Sequence, residues 1–364
     1  MFTNNQPSPI AVDFFLGALS PAGFTGWFAQ AAQEPGIQPY LIKAGPGCGK
    51  STFMRRVAEC DTASGVIQRI HCSSDPASLD GVLLPAPGAL LLDATAPHTL
   101  DCKYPGAAER VISLYATLDN AFLKAHRTEI LALGKQNAAL LQRAAAYFAM
   151  ACALLQRRRA RAAEALDRTR MAGFGERLAN RLLPAPPHAH PGRQQHRLLS
   201  APTPGGPTVF YDTIPALADR LYAIHDPYGA AAPLLLAQLA EHARTAGYDA
   251  ILCHCPSDQT KLDHLFIPSL RLAFVTSNPW HPMLFVDQTN LHAGRWLDKA
   301  ALAPQRASLR QEKATADELL AMACDTQRAA KTVHDGLEKY YVAATDFSAV
   351  DAACTALQAE LFGG

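Results

Sequence analysis

Hydrophobic residues are laid out along this chain in two alternating styles. Up to about residue 100, short apolar runs are divided by Gly, Pro, Ser and Asp, as in Tyr40-Leu-Ile, Val66-Ile-Gln-Arg-Ile70 and Ala89-Leu-Leu-Leu-Asp93. Runs of that length bounded by turn formers predict buried strands. From Pro105 to about Arg181 the text changes to Ala, Leu, Arg, Glu and Gln at helical spacing, from Ala121-Phe-Leu through Ile130-Leu to Tyr147-Phe148. This predicts a long helical hairpin with Gly134 at its turn or weak point. Residues 184–207 are rich in Pro and His, which is linker chemistry, and the strand style then returns before a second helical stretch. The expected organisation is a first core (1–104), a helical hairpin extension (105–183), a linker with the start of a second unit (184–207), a second core (208–297) and a C-terminal helical extension (298–364).

The stretch Tyr40-Leu-Ile-Lys-Ala-Gly-Pro-Gly-Cys-Gly-Lys50-Ser51-Thr52 enters a glycine-rich loop from an apolar run and leaves it into a helical segment. Strand, loop and helix in that order are the context that gives a phosphate-loop match its weight. Such a loop turns successive N–H groups toward phosphate oxygens, and glycines permit the backbone it needs. Ala44 stands where the strict pattern has its first glycine. Gly45, Pro46, Gly47, Cys48, Gly49, Lys50, Ser51 and Thr52 are therefore the expected nucleotide contacts, with Lys50 on the β- and γ-phosphates and Thr52 near the α-phosphate. Asp93 ends an apolar strand as a magnesium-side carboxylate should, so Ser51 and Asp93 are the expected metal pair. Asp75 is the candidate for orienting water or activating an acceptor hydroxyl. Lys50, Asp93 and Asp75 make up the expected catalytic set. Arg55, Arg56, Arg69 and Arg110 are available for transition-state charge, as are Lys261 or Arg271 should the second half reach the first.

A degraded copy of the loop follows, Tyr222-Ala-Ile-His-Asp-Pro-Tyr-Gly-Ala-Ala-Ala232-Pro233, with Ala231, Ala232 and Pro233 in place of Gly49, Lys50 and Ser51. Residues 71–98 align without a gap on 254–281, and eight of those 28 positions are identical: His71, Cys72, Ser74, Asp75, Leu79, Asp80, Pro85 and His98. Thr276 replaces Asp93, so lysine, serine and strand-end carboxylate are missing together. Phe15-Leu-Gly-Ala18 also aligns with Leu198-Leu-Ser-Ala201, and Tyr147-Phe-Ala149 with Tyr340-Tyr-Val342. Internal duplication on this scale predicts two related units. One is expected to bind nucleotide and the other to be a pseudo-site.

Composition narrows the classes. A net charge of +1 with 18% charged residues gives no polyelectrolyte character, so nucleic acid is not expected. No apolar run near 18 residues is evident, the N-terminus lacks a signal-peptide pattern, and nine scattered cysteines read as reduced thiols; the expectation is a cytoplasmic protein without a membrane span. Cys253-His254-Cys255 reads as core residues, His188, His190 and His196 as solvated linker, and Arg157 to Arg161 as a solvated helix face. Cys48, inside the loop, would make binding oxidation-sensitive.

Together, Phe15-Leu-Gly-Ala-Leu-Ser-Pro, the Ile42–Thr52 loop, His71-Cys-Ser-Ser-Asp-Pro-Ala-Ser-Leu-Asp-Gly81, Asp93-Ala-Thr-Ala-Pro-His98 and Tyr104-Pro-Gly106 resemble an uncharacterised family of bacterial tandem P-loop proteins, labelled ATP-binding proteins or ATPases. The resemblance spans nearly the whole chain. It implies ATP and Mg²⁺ as cofactors and an α/β fold of two P-loop NTPase-like three-layer cores in tandem, each with a long helical hairpin appendage. In that family the second half often keeps its own loop; here it is degraded. The expected activity is an Mg-dependent ATPase acting as a nucleotide-driven switch on an unidentified protein partner. The alternatives are a small-molecule or nucleotide kinase, with the 71–75 segment as acceptor site, and a non-hydrolysing nucleotide sensor.

Overall fold

The computed structural model describes residues 9–184 and 190–363; the expectation for His188 and that of an N-terminus without a signal-peptide pattern fall outside them. Its first sheet takes β1 (Ile10–Phe15), β4 (Gln38–Lys43), β5 (Val66–Cys72), β6 (Asp75–Leu84), β7 (Ala89–Asp93) and β8 (Arg110–Ser113), in the order β1-β5-β6-β7-β4-β8. A small hairpin, β2 (Gly17–Ser20) and β3 (Gly23–Gly26), and a short helix α1 (Phe28–Ala31) separate β1 from β4. The second sheet takes β9 (Gln194–Arg197), β12 (Arg220–His225), β13 (Ala250–Cys255), β14 (Asp258–Ile267), β15 (Leu272–Ser277) and β16 (Thr289–His292), ordered β16-β12-β15-β14-β13-β9. Its own hairpin is β10 (Ser200–Thr203) with β11 (Gly206–Val209). Both sheets are mixed: β6 and β14 run antiparallel to their neighbours, and the remaining pairs are parallel. Strand order and direction thus agree between the sheets. The ladders β5·β6 and β13·β14 even break register at matching places, around His71 and His254.

The central strands β7 and β15 are buried throughout, which is why they read as continuous apolar runs. The edge strands β1 and β9 meet through Phe15 and Leu198, whose backbone groups exchange two hydrogen bonds of 2.8 Å. These two residues align with each other in sequence, as do their packing partners Ala18 and Ala201. The first sheet extends beyond the expected boundary at 104, because β8 pairs with β4.

The helices depart most from expectation. They are α2 (Lys50–Ala58), α3 (Asn120–Ala125), α4 (Arg127–Glu164), α5 (Arg168–Leu182), α6 (Thr213–Leu217), α7 (Ala232–Thr245), α8 (Lys299–Leu302), α9 (Arg306–Ala344) and α10 (Phe347–Phe362). No hairpin turns at Gly134, since α4 is one unbroken 38-residue helix. It leaves the first sheet, ends beside the second at the Leu166–Leu297 bridge, and hands over to α5, which packs on α7. In return α9, of 39 residues, leaves the second sheet and ends at the Leu118–Thr345 bridge, where α10 packs on α2. The two long helices lie against each other through Ala144, Phe148, Cys152 and Ala323. Asp119, Asp167, Asp298 and Asp346 accept backbone N–H bonds at the starts of α3, α5, α8 and α10, so each reversal has its own cap. Each half therefore lends its last helix to the other. The absence of an 18-residue apolar run is also corrected: α4 holds a window of mean hydropathy 1.5, long and apolar enough by composition to cross a membrane, because its Ala-Leu stretches are interrupted only at Gln142 and Arg143.

Candidate functional site

Where β4 ends, the chain turns through Ala44 to Gly49 into α2. Gly47 (φ +70°) and Gly49 (φ +84°) are left-handed, a conformation that glycine adopts without a Cβ clash. Gly49 is the N-cap of α2 with no side-chain cap, so the first N–H groups of the helix point into the loop. Lys50 Nζ donates to Gly45 O at 2.8 Å and lies 3.4 Å from Asp93 Oδ2. Ser51 Oγ accepts the Leu79 N–H at 2.9 Å, tying α2 to β6. Asp93 reaches this group because β7 lies beside β4, with Ile42 opposite Asp93. The structure thus brings Lys50 and Asp93 together, with Ser51 next to Lys50 in sequence and tied to β6.

Two residues not singled out as site residues complete the cluster. His98 Nε2 lies 3.7 Å from Asp93 Oδ2 and 3.9 Å from Asp80 Oδ1, and all three side chains are buried. Asp93 Oδ1 accepts from Thr95 N and Oγ1. Burial pushes the Asp80 carboxyl up to about 6, with His98 opposing the rise and Asp93 adding to it. Burial also works against ionised Asp93 and His98, but their attraction for each other, with Lys50 beside Asp93, keeps Asp93 below and His98 above their ordinary ranges. Asp80 and His98 were visible among the identities shared by the two halves; what the sequence did not show is that β6, β7 and the following turn converge on Lys50.

Asp75 stands apart from this cluster. It opens β6, accepts from Ser78 Oγ at 3.0 Å, and lies 3.3 Å from Lys331 Nζ on α9. At this point the second half thus presents Lys331 to the first. Lys261 is held by Asp263 at 2.7 Å, and Arg271 by Asp219 at 2.6 Å. The four arginine candidates are also engaged elsewhere: Arg55 on Ala77 O, Arg56 on Asp351, Arg69 bidentate on Asp13 at 2.7 Å, and Arg110 on Glu360. Beyond Lys331, α9 continues across the loop. A Cβ on Gly45 would meet the Tyr341 ring at 2.5 Å, and one on Gly47 would meet Val342 at 3.0 Å. Cys48 is buried beneath this helix end, with Thr345 Oγ1 at 3.4 Å, which removes the exposure its expected oxidation sensitivity requires.

At the second loop, Asp226 occupies the position aligned with Ala44. Its carboxylate accepts the N–H groups of Tyr228 (3.3 Å), Gly229 (3.0 Å), Ala231 (2.8 Å) and Ala232 (2.8 Å). The donors that a phosphate loop turns toward an anion are thus taken by the chain's own carboxylate. A cavity of about 80 Å³ remains beside it, between Arg158, Asp258, Lys261 and Trp280. Burial opposes ionised Lys261 and Asp263, but each holds the other charged. The basic run of α4 is not a solvated face: Arg159 pairs with Asp258 at 2.7 Å, Arg157 and Arg161 reach Glu312, and Arg158 donates to Pro227 O. Asp75 and Asp258, which align, therefore each receive a cation from the long helix of the other half.

The His-Cys segments lie partly away from the loops. His71 bonds Asp13 Oδ1 and Pro76 O, both at 2.7 Å, and stacks near Phe210. Cys253 and Cys255 are buried, as expected of core residues. His196 is not solvated: it bonds His254 at 2.8 Å and stacks on Trp27 at the contact between halves, whereas His190 is exposed. Compared with known proteins, the chain matches no family model, no curated protein and no solved structure.

Proposed function

We propose that residues 44–51 form a P-loop, that the chain is a tandem repeat of the resembled kind, and that its first half binds Mg-ATP as a nucleotide-driven switch with ATPase activity. The observation that carries this reading is Lys50 at the start of α2, behind two left-handed glycines and held between Gly45 O and Asp93. A lysine poised there can transfer its charge from Asp93 to a phosphate without leaving the loop. The residue types also suit magnesium: Ser51 Oγ and the Asp93 carboxylate are hard oxygen donors, and the bound ion would neutralise phosphate charge. The matching strand orders and register breaks support the repeat, and the Asp226 carboxylate supports a second loop that takes no nucleotide.

The switch reading is favoured over a kinase by the basic run of α4. A lid closing over a transferred phosphoryl group needs free arginines, and the members of this run are committed to Asp258, Glu312 and Pro227. It is favoured over a passive sensor by α9, which reaches from the second half across the loop to Asp75. Calorimetric titration of Mg-ATP tests the reading. One site per chain is expected, lost in Lys50→Ala, with slow ADP release that needs no acceptor. Two sites, or binding indifferent to Lys50, would overturn it; binding without turnover would leave the sensor.

A further inference from the structure

The Asp80, Asp93 and His98 cluster has a property that nucleotide binding does not use. Asp80 Oδ2 and both nitrogens of His98 are buried and have no hydrogen-bond partner. His98 Nε2 is 3.7 and 3.9 Å from the two carboxylates, beyond hydrogen-bond length. It is still within the about 4.2 Å that separates two ligand atoms on opposite sides of a cation with bonds of about 2.1 Å. The imidazole is fixed by stacking on Phe28, with ring centroids 4.5 Å apart and planes 10° apart, and Asp93 is fixed by Thr95. One ligand atom from each of the three side chains lies within 4.8 Å of the other two, so a small inward movement of the carboxylates closes the set on one cation.

The second half supplies the comparison. Asp263 and His281 repeat Asp80 and His98 at the same 3.9 Å spacing. There the third corner is Thr276, and Lys261, aligned with Ser78, places an ammonium 2.7 Å from Asp263. The half without the second carboxylate thus sets a covalent cation at hydrogen-bond distance from its aspartate, whereas in the first half the Lys50 ammonium stands farther off, beside Asp93 alone. Lys50 offsets only one of the two carboxylates in the first half, and it does so from 3.4 Å.

We propose that Asp80, Asp93 and His98 form a binding site for a divalent transition-metal cation of the class that accepts imidazole with carboxylates, such as Mn²⁺ or Co²⁺. One imidazole and two carboxylates suit these ions better than Mg²⁺, which takes oxygen donors. Lys50 competes with the metal for Asp93, and because all three ligands come from the chain itself the site does not require a nucleotide.

The test is titration of Mn²⁺ into the full chain without nucleotide, followed by electron spin echo measurement of nitrogen coupling. One Mn²⁺ per chain with the signature of a coordinated imidazole is expected. His98→Gln should lose the nitrogen coupling and weaken binding at least about tenfold, by analogy with the loss of ligand support at metal sites, and Asp80→Asn should weaken it as much. Lys50→Ala should bind Mn²⁺ as tightly or more tightly. If the buried variants do not fold, Ser78→Lys serves instead: it transplants the ammonium of the second half and should abolish Mn²⁺ binding in a folded protein. Absence of nitrogen coupling in the unmodified chain, undiminished binding in His98→Gln or Ser78→Lys, or Mn²⁺ binding only with ATP would each overturn the proposal. Because no nucleotide is present, failure of Mg-ATP to bind leaves this result standing, and the reverse also holds.

Discussion

At the scale of single residues, the second loop is closed by Asp226. Four N–H groups converge on one buried carboxylate, and replacing it by alanine leaves those of Tyr228, Ala231 and Ala232 without that acceptor and Gly229 with only its bond to Asp226 O at 3.2 Å. Hydrogen bonds to a charged group contribute about 1.5–3 kcal/mol each when lost singly, and losses at one acceptor do not add. Asp226→Ala should therefore cost about 3 kcal/mol or more in chemical denaturation. In a Lys50→Ala background, inorganic phosphate should restore part of that stability and leave the Asp226 parent unaffected. A phosphate-insensitive variant would show that the loop is not an anion nest. The buried histidines give a second prediction. Burial, with His196 adding, lowers His254 to about 4, and burial with His281 lowers His264 to about 3. Both fold as neutral rings, so their contribution is complete above the unfolded value of about 6.5 and is lost as pH falls through about 4 and then 3. At 1.36 kcal/mol per unit, His254 alone carries on the order of 3 kcal/mol. Thermal unfolding from pH 7 to 4 should show this decline, and His254→Gln should flatten it; superimposable profiles would refute the assignment. Lys50, Ser51 and Asp93 were legible in the sequence because a loop and a strand end announce themselves locally. Asp226 was not, since a side chain that turns back into its own loop has no spacing signature.

At the scale of elements, strands were easier to read than helix partners. The runs at β4, β5 and β7 are short, apolar and bounded by turn formers, so strand is the only element that buries them. The segment 71–80 was less legible, because its polar residues carry no strand periodicity although it closes the β5·β6 hairpin. Helical periodicity gave a helical stretch here but neither the bounds of α4 nor its course. Gly134 has nothing within 4 Å of the position its Cβ would take, so neither a turn nor a close contact accounts for it. The seat of α9 on the loop is a matter of long-range packing that no local pattern encodes. It also gives Gly45 a second reason to be glycine, since Tyr341 fills the space a methyl group would need. Gly45→Ala should cost about 1–3 kcal/mol through overpacking. Combining it with Tyr341→Ala should cost less than the sum of the two single changes, by about 0.5–3 kcal/mol in a double-mutant cycle. Strict additivity would mean that α9 does not rest on the loop in solution.

At the scale of the whole molecule, the exchange of final helices determines what can fold alone. The first sheet's helix α2 is covered by α10, at the far end of the chain, through Val350, Cys354 and Leu357 packed with Phe53, Met54 and Val57. The second sheet's α7 is covered by α5, which belongs to the first half in sequence. Gln68 and Arg197 add buried polar contacts across the junction, Arg197 donating to Gln68 Oε1 at 2.8 Å and to Glu34 at 2.7 Å. Cutting the chain between Pro184 and His190 severs no helix or strand among the described residues, yet leaves each piece lacking a helix that the other supplies. Residues 1–184 and 190–364 produced separately should therefore be unstable or aggregate, because an uncovered apolar face on α2 or α7 lacks the burial, about 25 cal/mol per Å², on which a core depends. Co-expressed, the two pieces should purify as a one-to-one complex whose unfolding remains a single transition, at a midpoint below that of the intact chain because association now costs translational freedom. Two independently folded pieces, each with its own transition, would show that α5 and α10 fold back onto their own halves. The same result would remove the proposed switch, which needs α9 and α4 to link the first loop to the second half. Retention of the complex with Lys50→Ala in one piece would separate assembly from loop chemistry, and would place the coupling between halves in the crossing helices.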